Sequence, residues 1–277
     1  MKERTATVKQ DKGCAKLRSC LREDVKGEGL LKGEDTTMYG WRGIVGLVKP
    51  TYRPGSLERF IRLMPDGVCV ITRYVGVRAG TGKEFEEALA IAEQRVAELA
   101  KLGVDVVVIQ GVPPIMLRGY AFDAEVRKTL QEKYGVPVLT ATMTQVDAFK
   151  ALGVRRIVGI TYFKDDLNPK FAKFFKEGGF EVAAMRGCLD VPFSDLGKVP
   201  GEENYTHAKR IFLEVGGGDC IYLLGAGWDC LPAIEPLERD LGVPVVTNVP
   251  ADVWATQKHL HIREPVKGFG RLLEEMP

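Results

Sequence analysis

One strand–loop–helix–strand unit is written twice in this chain of 277 residues. The first copy opens with Val106-Val107-Val108-Ile109-Gln110-Gly111-Val112-Pro113-Pro114 and the second with Cys220-Ile221-Tyr222-Leu223-Leu224-Gly225-Ala226-Gly227-Trp228-Asp229-Cys230. Each is an apolar run ending in glycine, then a loop, then an amphipathic stretch. Nearly the same words follow both, Gly135-Val136-Pro137-Val138 and Gly242-Val243-Pro244-Val245, and the similarity continues into Thr144-Gln145-Val146-Asp147-Ala148 and Ala251-Asp252-Val253-Trp254-Ala255. A short continuous apolar run bounded by glycine and proline is how a strand buried on both faces reads. Two copies of an α/β unit can pack about a pseudo-twofold axis, which would bring the loops after the two strands to one cleft, where such sheets bind ligands.

The rest of the chain fits an α/β reading. Strands are expected at 41–48 and 69–75, then an amphipathic helix over about 83–102 with Phe85, Leu89, Ala92, Val96 and Leu99 on one stripe. Further helices are expected over about 122–134, with Asp123 as its cap, and over about 144–152, 204–215 and 251–260. Strands are expected over 156–163 and 181–185. Residues 186–203 read as a long excursion of the kind that often forms a lid, and a polar tail closes the chain. Residues 1–37 are charged and glycine-rich without a sustained period and read as a flexible leader. The division expected is a first lobe of 41–140 plus 248–277 and a second lobe of 141–247.

Composition narrows the function classes. With 39 Lys and Arg against 37 Asp and Glu, net charge +2 and no basic block, nothing marks a nucleic-acid binder. No apolar run approaches the ~18–20 residues of a membrane span, and no signal peptide is apparent, so a cytoplasmic protein is expected. Six cysteines without a C-x-x-C pair and only three histidines argue against a disulfide framework and a metal site. A homo-oligomer is compatible with all of this.

Four further words carry a family likeness: Arg118-Gly119-Tyr120-Ala121-Phe122, Ala151-Leu152-Gly153-Val154-Arg155-Arg156, Asp165-Asp166-Leu167-Asn168, and Leu237-Glu238-Arg239-Asp240-Leu241-Gly242-Val243-Pro244-Val245-Val246. With them the chain, from about residue 43 onward, resembles the arylmalonate decarboxylase and maleate cis-trans isomerase branch of the aspartate/glutamate racemase superfamily. The resemblance implies two Rossmann-like lobes, a cofactor-free site between them and a small carboxylic acid as substrate. It also implies a cysteine at one or both focal turns, and here those positions are Gly111 and Gly225. The hydroxyl residues that normally follow the first position are Val112 and Pro113, and the family tyrosine aligns with Phe163, next to Tyr162.

The candidate site residues follow from this. Cys230, five positions past Gly225, could move a proton as a thiol at a helix start or could be a small buried hydrophobe. Asp229 could be an acid/base or a helix cap. Trp228 could wall the site or pack in the core. Lys49, Tyr52 and Arg53, in the loop after the first strand, could hold a carboxylate, Arg53 bidentately, or could be solvated surface residues. Gly111 and Gly225, with Ala226 beside the second, could let backbone N–H groups approach an oxyanion, or could be demanded by tight strand exits alone. Gln110 could hydrogen-bond the substrate or face away from the cleft, and Tyr162, Thr140 and Thr247 could donate to the substrate or could be ordinary strand residues. The function expected is a cofactor-free lyase or isomerase acting through an enolate-like species. The alternative is a catalytically silent carboxylate-binding protein of the same fold.

Overall fold

The computed structural model describes residues 39–163 and 166–277, so the proposed leader lies outside the described residues. Two parallel four-stranded sheets form the framework, and they share one topology. The first has the order β2-β1-β3-β4, with β1 (Gly43–Lys49), β2 (Val68–Tyr74), β3 (Val106–Ile109) and β4 (Val138–Thr140). The second has the order β6-β5-β7-β8, with β5 (Arg156–Thr161), β6 (Glu181–Gly187), β7 (Cys220–Leu224) and β8 (Val245–Thr247). The focal runs are the inner strands β3 and β7, and every residue of each is buried. That burial is why they read as unbroken apolar runs rather than as an alternation.

The repeat extends to the hydrogen bonds. Asp105, just before β3, accepts from the Ile44 N–H, and Asp219, just before β7, accepts from the Arg155 and Arg156 N–H groups. Gln131 Oε1 accepts from the N–H of Val138 as Glu238 Oε1 does from that of Val245, each seven residues ahead of its strand. The shared Gly-Val-Pro-Val begins where Gly135 and Gly242 end their helices, each donating its N–H four residues back, to Gln131 and Glu238. One sequence pattern thus builds one local structure in both copies.

Helices cover the sheets. The helix α1 (Ser56–Leu63) follows the first loop, and α2 (Gly82–Lys101) crosses from β2 to β3. Thr81 and Glu84 form a capping box at the start of α2, which turns Phe85, Ala88, Ala92, Val96 and Leu99 inward. A single turn α3 (Pro113–Met116) precedes α4 (Tyr120–Tyr134). After β4 comes α5 (Ala141–Ala151), and α6 (Asn168–Glu177) leads to β6. Next come α7 (Gly201–Glu214), α8 (Leu231–Leu241), α9 (Asn248–His259) and α10 (Arg271–Glu275). The equivalent helices α5 and α9 pack on each other, and α9 also packs on α1.

Three expectations are corrected. Asp123 lies inside the first turn of α4, fully buried, where it accepts from Arg127, Thr140 and Thr142, so it joins that helix to the end of β4 instead of capping it. The excursion is shorter than 186–203, because β6 runs to Gly187, Phe193–Lys198 is a 3₁₀ turn and α7 starts at Gly201. The tail carries α10, whose Leu272 and Leu273 are buried in the core.

Candidate active site

The turns after β3 and β7 open onto a single cleft. Its inner part, about 50 Å³, is lined by Gly111, Val112 and Pro113 from the first turn and Gly225, Ala226 and Gly227 from the second. Arg53, Tyr162, Phe193 and Asn248 complete its polar and aromatic wall. A volume of that size holds a few waters or the core of a small acid. Phe85, Pro114, Tyr162, Phe163 and Phe193 are shared with an outer chamber of about 580 Å³ that also reaches Leu89, Arg118, Lys170 and Asp190.

Both glycines are favoured by their backbone conformation, and a side chain would be tight at the first and would clash at the second. Gly111 has φ +100° and Gly225 φ +114°, a region that side chains rarely enter. A Cβ on Gly111 would stand 3.0 Å from Cβ of Pro50. One on Gly225 would stand 2.6 Å from Cζ and 2.7 Å from Oη of Tyr162. Pro50 directly follows β1 and Tyr162 directly follows β5, so the two collisions are equivalent under the repeat. In each lobe the turn after the inner strand is pressed against the residue that leaves its neighbour.

Arg53 reaches across the cleft. Its Cζ lies 3.9 Å from the centroid of the Phe193 ring, and Nη1 donates to the Phe193 carbonyl. Its Nε is buried without a hydrogen-bond partner among the described residues. Burial pushes the Tyr162 hydroxyl above its ordinary range, while neighbouring Arg53 and the Gly227 N–H pull it back down. The Tyr162 ring packs edge-on to Trp228 at 5.5 Å and against Phe163 at 4.4 Å.

Of the residues singled out from sequence, the cleft brings together Arg53, Gly111, Val112, Pro113, Tyr162, Phe163, Gly225 and Ala226. The others stand elsewhere. Cys230 is buried behind the second turn in a small cavity with Thr247, Trp228 and Arg59 that shares only Gly225 and Ala226 with the cleft, and burial pushes its thiol well up. Asp229 pairs with Arg59 at 3.4 Å and its Oδ1 accepts from the Leu231 N–H at 3.3 Å, one residue ahead of Cys230, the N-cap of α8. Thr140 donates to Asp123 at 2.8 Å and faces away. Gln110 donates to Asp252 at 3.1 Å. Lys49 is 1% exposed, with its Nζ 3.3 Å from the Arg53 carbonyl, so it supports the loop from beneath. Tyr52 is exposed and stacks on Tyr74.

Two residues not singled out from sequence hold the second turn. Asn248 Oδ1 accepts from the Gly225 N–H at 2.6 Å, which occupies the donor once offered to an oxyanion. Arg59 Nη2 donates to the Ala226 carbonyl at 2.9 Å. Asn248 directly follows the repeated strand as the first residue of α9, and only that position could have marked it.

The family model for arylmalonate decarboxylase matches residues 54–273, most of the chain. The chain belongs to the arylmalonate decarboxylase family. The arylmalonate decarboxylase of Bordetella bronchiseptica is 29% identical over 218 residues, covering 77% of this chain and 89% of that protein. A maleate isomerase of Pseudomonas putida is 27% identical, covering 69% of this chain and 78% of that one. A crystal structure of a liganded arylmalonate decarboxylase mutant superposes with TM-score 0.77 at 26% identity, over 84% of this chain and 98% of that chain. The maleate cis-trans isomerase of Nocardia farcinica shares the fold with TM-score 0.78 at 20% identity. Within this family framework, the chain is of the decarboxylase/isomerase type. No helix among the described residues is long and apolar enough to cross a membrane.

Proposed function

We propose that the protein is a cofactor-free decarboxylase or isomerase of small carboxylic acids, working through an enediolate in the cleft between Gly111 and Gly225. Arg53 carries this reading. Its guanidinium lines the cleft with a buried, unpartnered Nε, beside walls that are otherwise largely apolar. A buried donor left unmade costs about 1–3 kcal/mol, and a bound carboxylate would satisfy it through a charge-assisted bond. The second carboxylate of a malonate-type acid would lie against Val77, Phe85, Val112 and Pro113, where loss of hydration favours expulsion of carbon dioxide.

Decarboxylation is favoured over racemisation. Racemisation needs a proton carrier on each face of the substrate, and the first turn offers only Gly111, Val112, Pro113 and Pro114 to the cleft. Assay of the purified protein with phenylmalonate, methylmalonate and maleate, following carbon dioxide release and loss of the olefin by NMR, tests the reading. Saturable release from a malonate is expected.

The absence of a thiol from both turns favours one second reading, a carboxylate-binding protein without turnover. Stabilisation by these acids with neither product formed would support it.

A further inference from the structure

Among the described residues that line the inner cleft, only Arg53 and Tyr162 carry titratable side chains. An arginine keeps its proton in proteins, so one group there can give a proton to carbon. We propose that Tyr162 is the proton donor of this site, its hydroxyl occupying the space that a side chain at position 225 would need, on the second-lobe face of the bound acid. The proposal rests on the decarboxylase reading above and assigns its chemical step.

Three observations place the hydroxyl for this work. A Cβ at Gly225 would fall 2.6 Å from Cζ and 2.7 Å from Oη of Tyr162, so the hydroxyl stands where a side chain at position 225 would begin, and such a side chain would require the ring to shift. Tyr162 lines both the inner cleft and the outer chamber, so the residue stands where the two spaces meet. The Arg53 guanidinium and the Gly227 N–H lie against the oxygen and would stabilise it as an anion once the proton is gone. Burial works the other way and keeps the proton on the oxygen at neutral pH, which suits a donor better than a base.

In the step for a malonate-type acid, the bond between the α-carbon and one carboxylate breaks and carbon dioxide leaves. The bonding pair passes into the remaining carboxylate, giving an enediolate. The Tyr162 O–H bond then breaks, its proton forms the new C–H bond at the α-carbon, and the O–H pair stays on the tyrosinate oxygen. A proton from solvent restores the hydroxyl. The net change is a dicarboxylate plus one proton going to a monocarboxylate plus carbon dioxide.

Delivery from one face makes the product of a prochiral malonate a single enantiomer. The test is Tyr162→Phe, which keeps the ring that fills the space beside Gly225, assayed with an α-aryl-α-methylmalonate. Loss of the donor is expected to lower kcat at least 100-fold, at the low end of the range for general acids, with KM within threefold. The residual product should be racemic, because water then protonates either face. A merely structural role would not change the enantiomer ratio. Retention of kcat within threefold and of one enantiomer would overturn the assignment of Tyr162 and leave the decarboxylase reading standing. A wild type that converts none of these acids would remove that reading and the assignment with it.

Discussion

Pro50 and Tyr162 occupy the same place in the two halves of the molecule, each directly after the first strand of its sheet and each filling the space beside the glycine of the neighbouring turn. The halves therefore use one packing rule with different chemistry. Proline closes the first side with an inert ring, while tyrosine closes the second with a hydroxyl. This asymmetry inside a symmetric frame is what fits the cleft to protonation from one side.

The contact at Gly225 should be measurable as stability. Gly225→Ala places a methyl 2.7 Å from Tyr162 Oη at a φ of +114°, whereas Gly135→Ala places one at φ +65° with nothing within 4 Å. Backbone strain alone costs about 1 kcal/mol at the second site, and overpacking adds about 1–3 kcal/mol at the first. Thermal unfolding is expected to fall several degrees further for Gly225→Ala than for Gly135→Ala. Equal shifts would show that the ring yields freely.

Asp252 should make stability depend on pH. It is fully buried, accepts from Gln110 Nε2 at 3.1 Å and lies 2.7 Å from Thr144 Oγ1, and burial raises its carboxyl to about 7. Thr144 Oγ1 also lies 3.1 Å from the Ala141 carbonyl. If its one proton goes there, a protonated Asp252 donates back to the threonine. Because the folded value exceeds the unfolded one, this contribution is complete below about pH 4 and is lost as pH rises through about 7, a few kcal/mol in all. Asp252→Asn keeps an acceptor for Gln110 and sets an uncharged N–H donor group where the protonated carboxyl has its O–H. Denaturant unfolding between pH 5 and pH 8 should therefore decline for the wild type and stay flatter in the variant, which should be the more stable at pH 8. Parallel profiles would contradict this.

Cys230→Ala should leave turnover within threefold of wild type while costing about 1–2 kcal/mol of stability as a small buried cavity. The residue faces Thr247 and Arg59 behind the second turn, not the cleft. A large loss of kcat at unchanged folding would return the thiol to the chemistry.

The frame was legible in the sequence because its signals are local. Inner strands buried on both faces must be apolar throughout, and a glycine that ends a helix just before a strand writes Gly-Val-Pro-Val in both copies. The helix α1 was not legible: it is eight residues long, and only Ser56, Phe60 and Leu63 are buried, too few to set a period. In the site, Arg53 was legible from its loop. Cys230 and Asp229 were drawn in by nearness in sequence to Gly225, but the turn carries them to its far side. The clash between Tyr162 and position 225 joins the ends of two adjacent strands 63 positions apart, a relationship that no local pattern records.

The most direct test of the central claim is calorimetric titration of phenylacetate, the monocarboxylate that phenylmalonate would yield, into the wild type and Arg53→Ala. Loss of the charge-assisted bonds from the guanidinium should weaken binding roughly 10- to 100-fold, about 1.5–3 kcal/mol, with folding intact by circular dichroism. Equal affinity in the two proteins, or no binding to the wild type, would contradict an organic anion held between the two glycine turns.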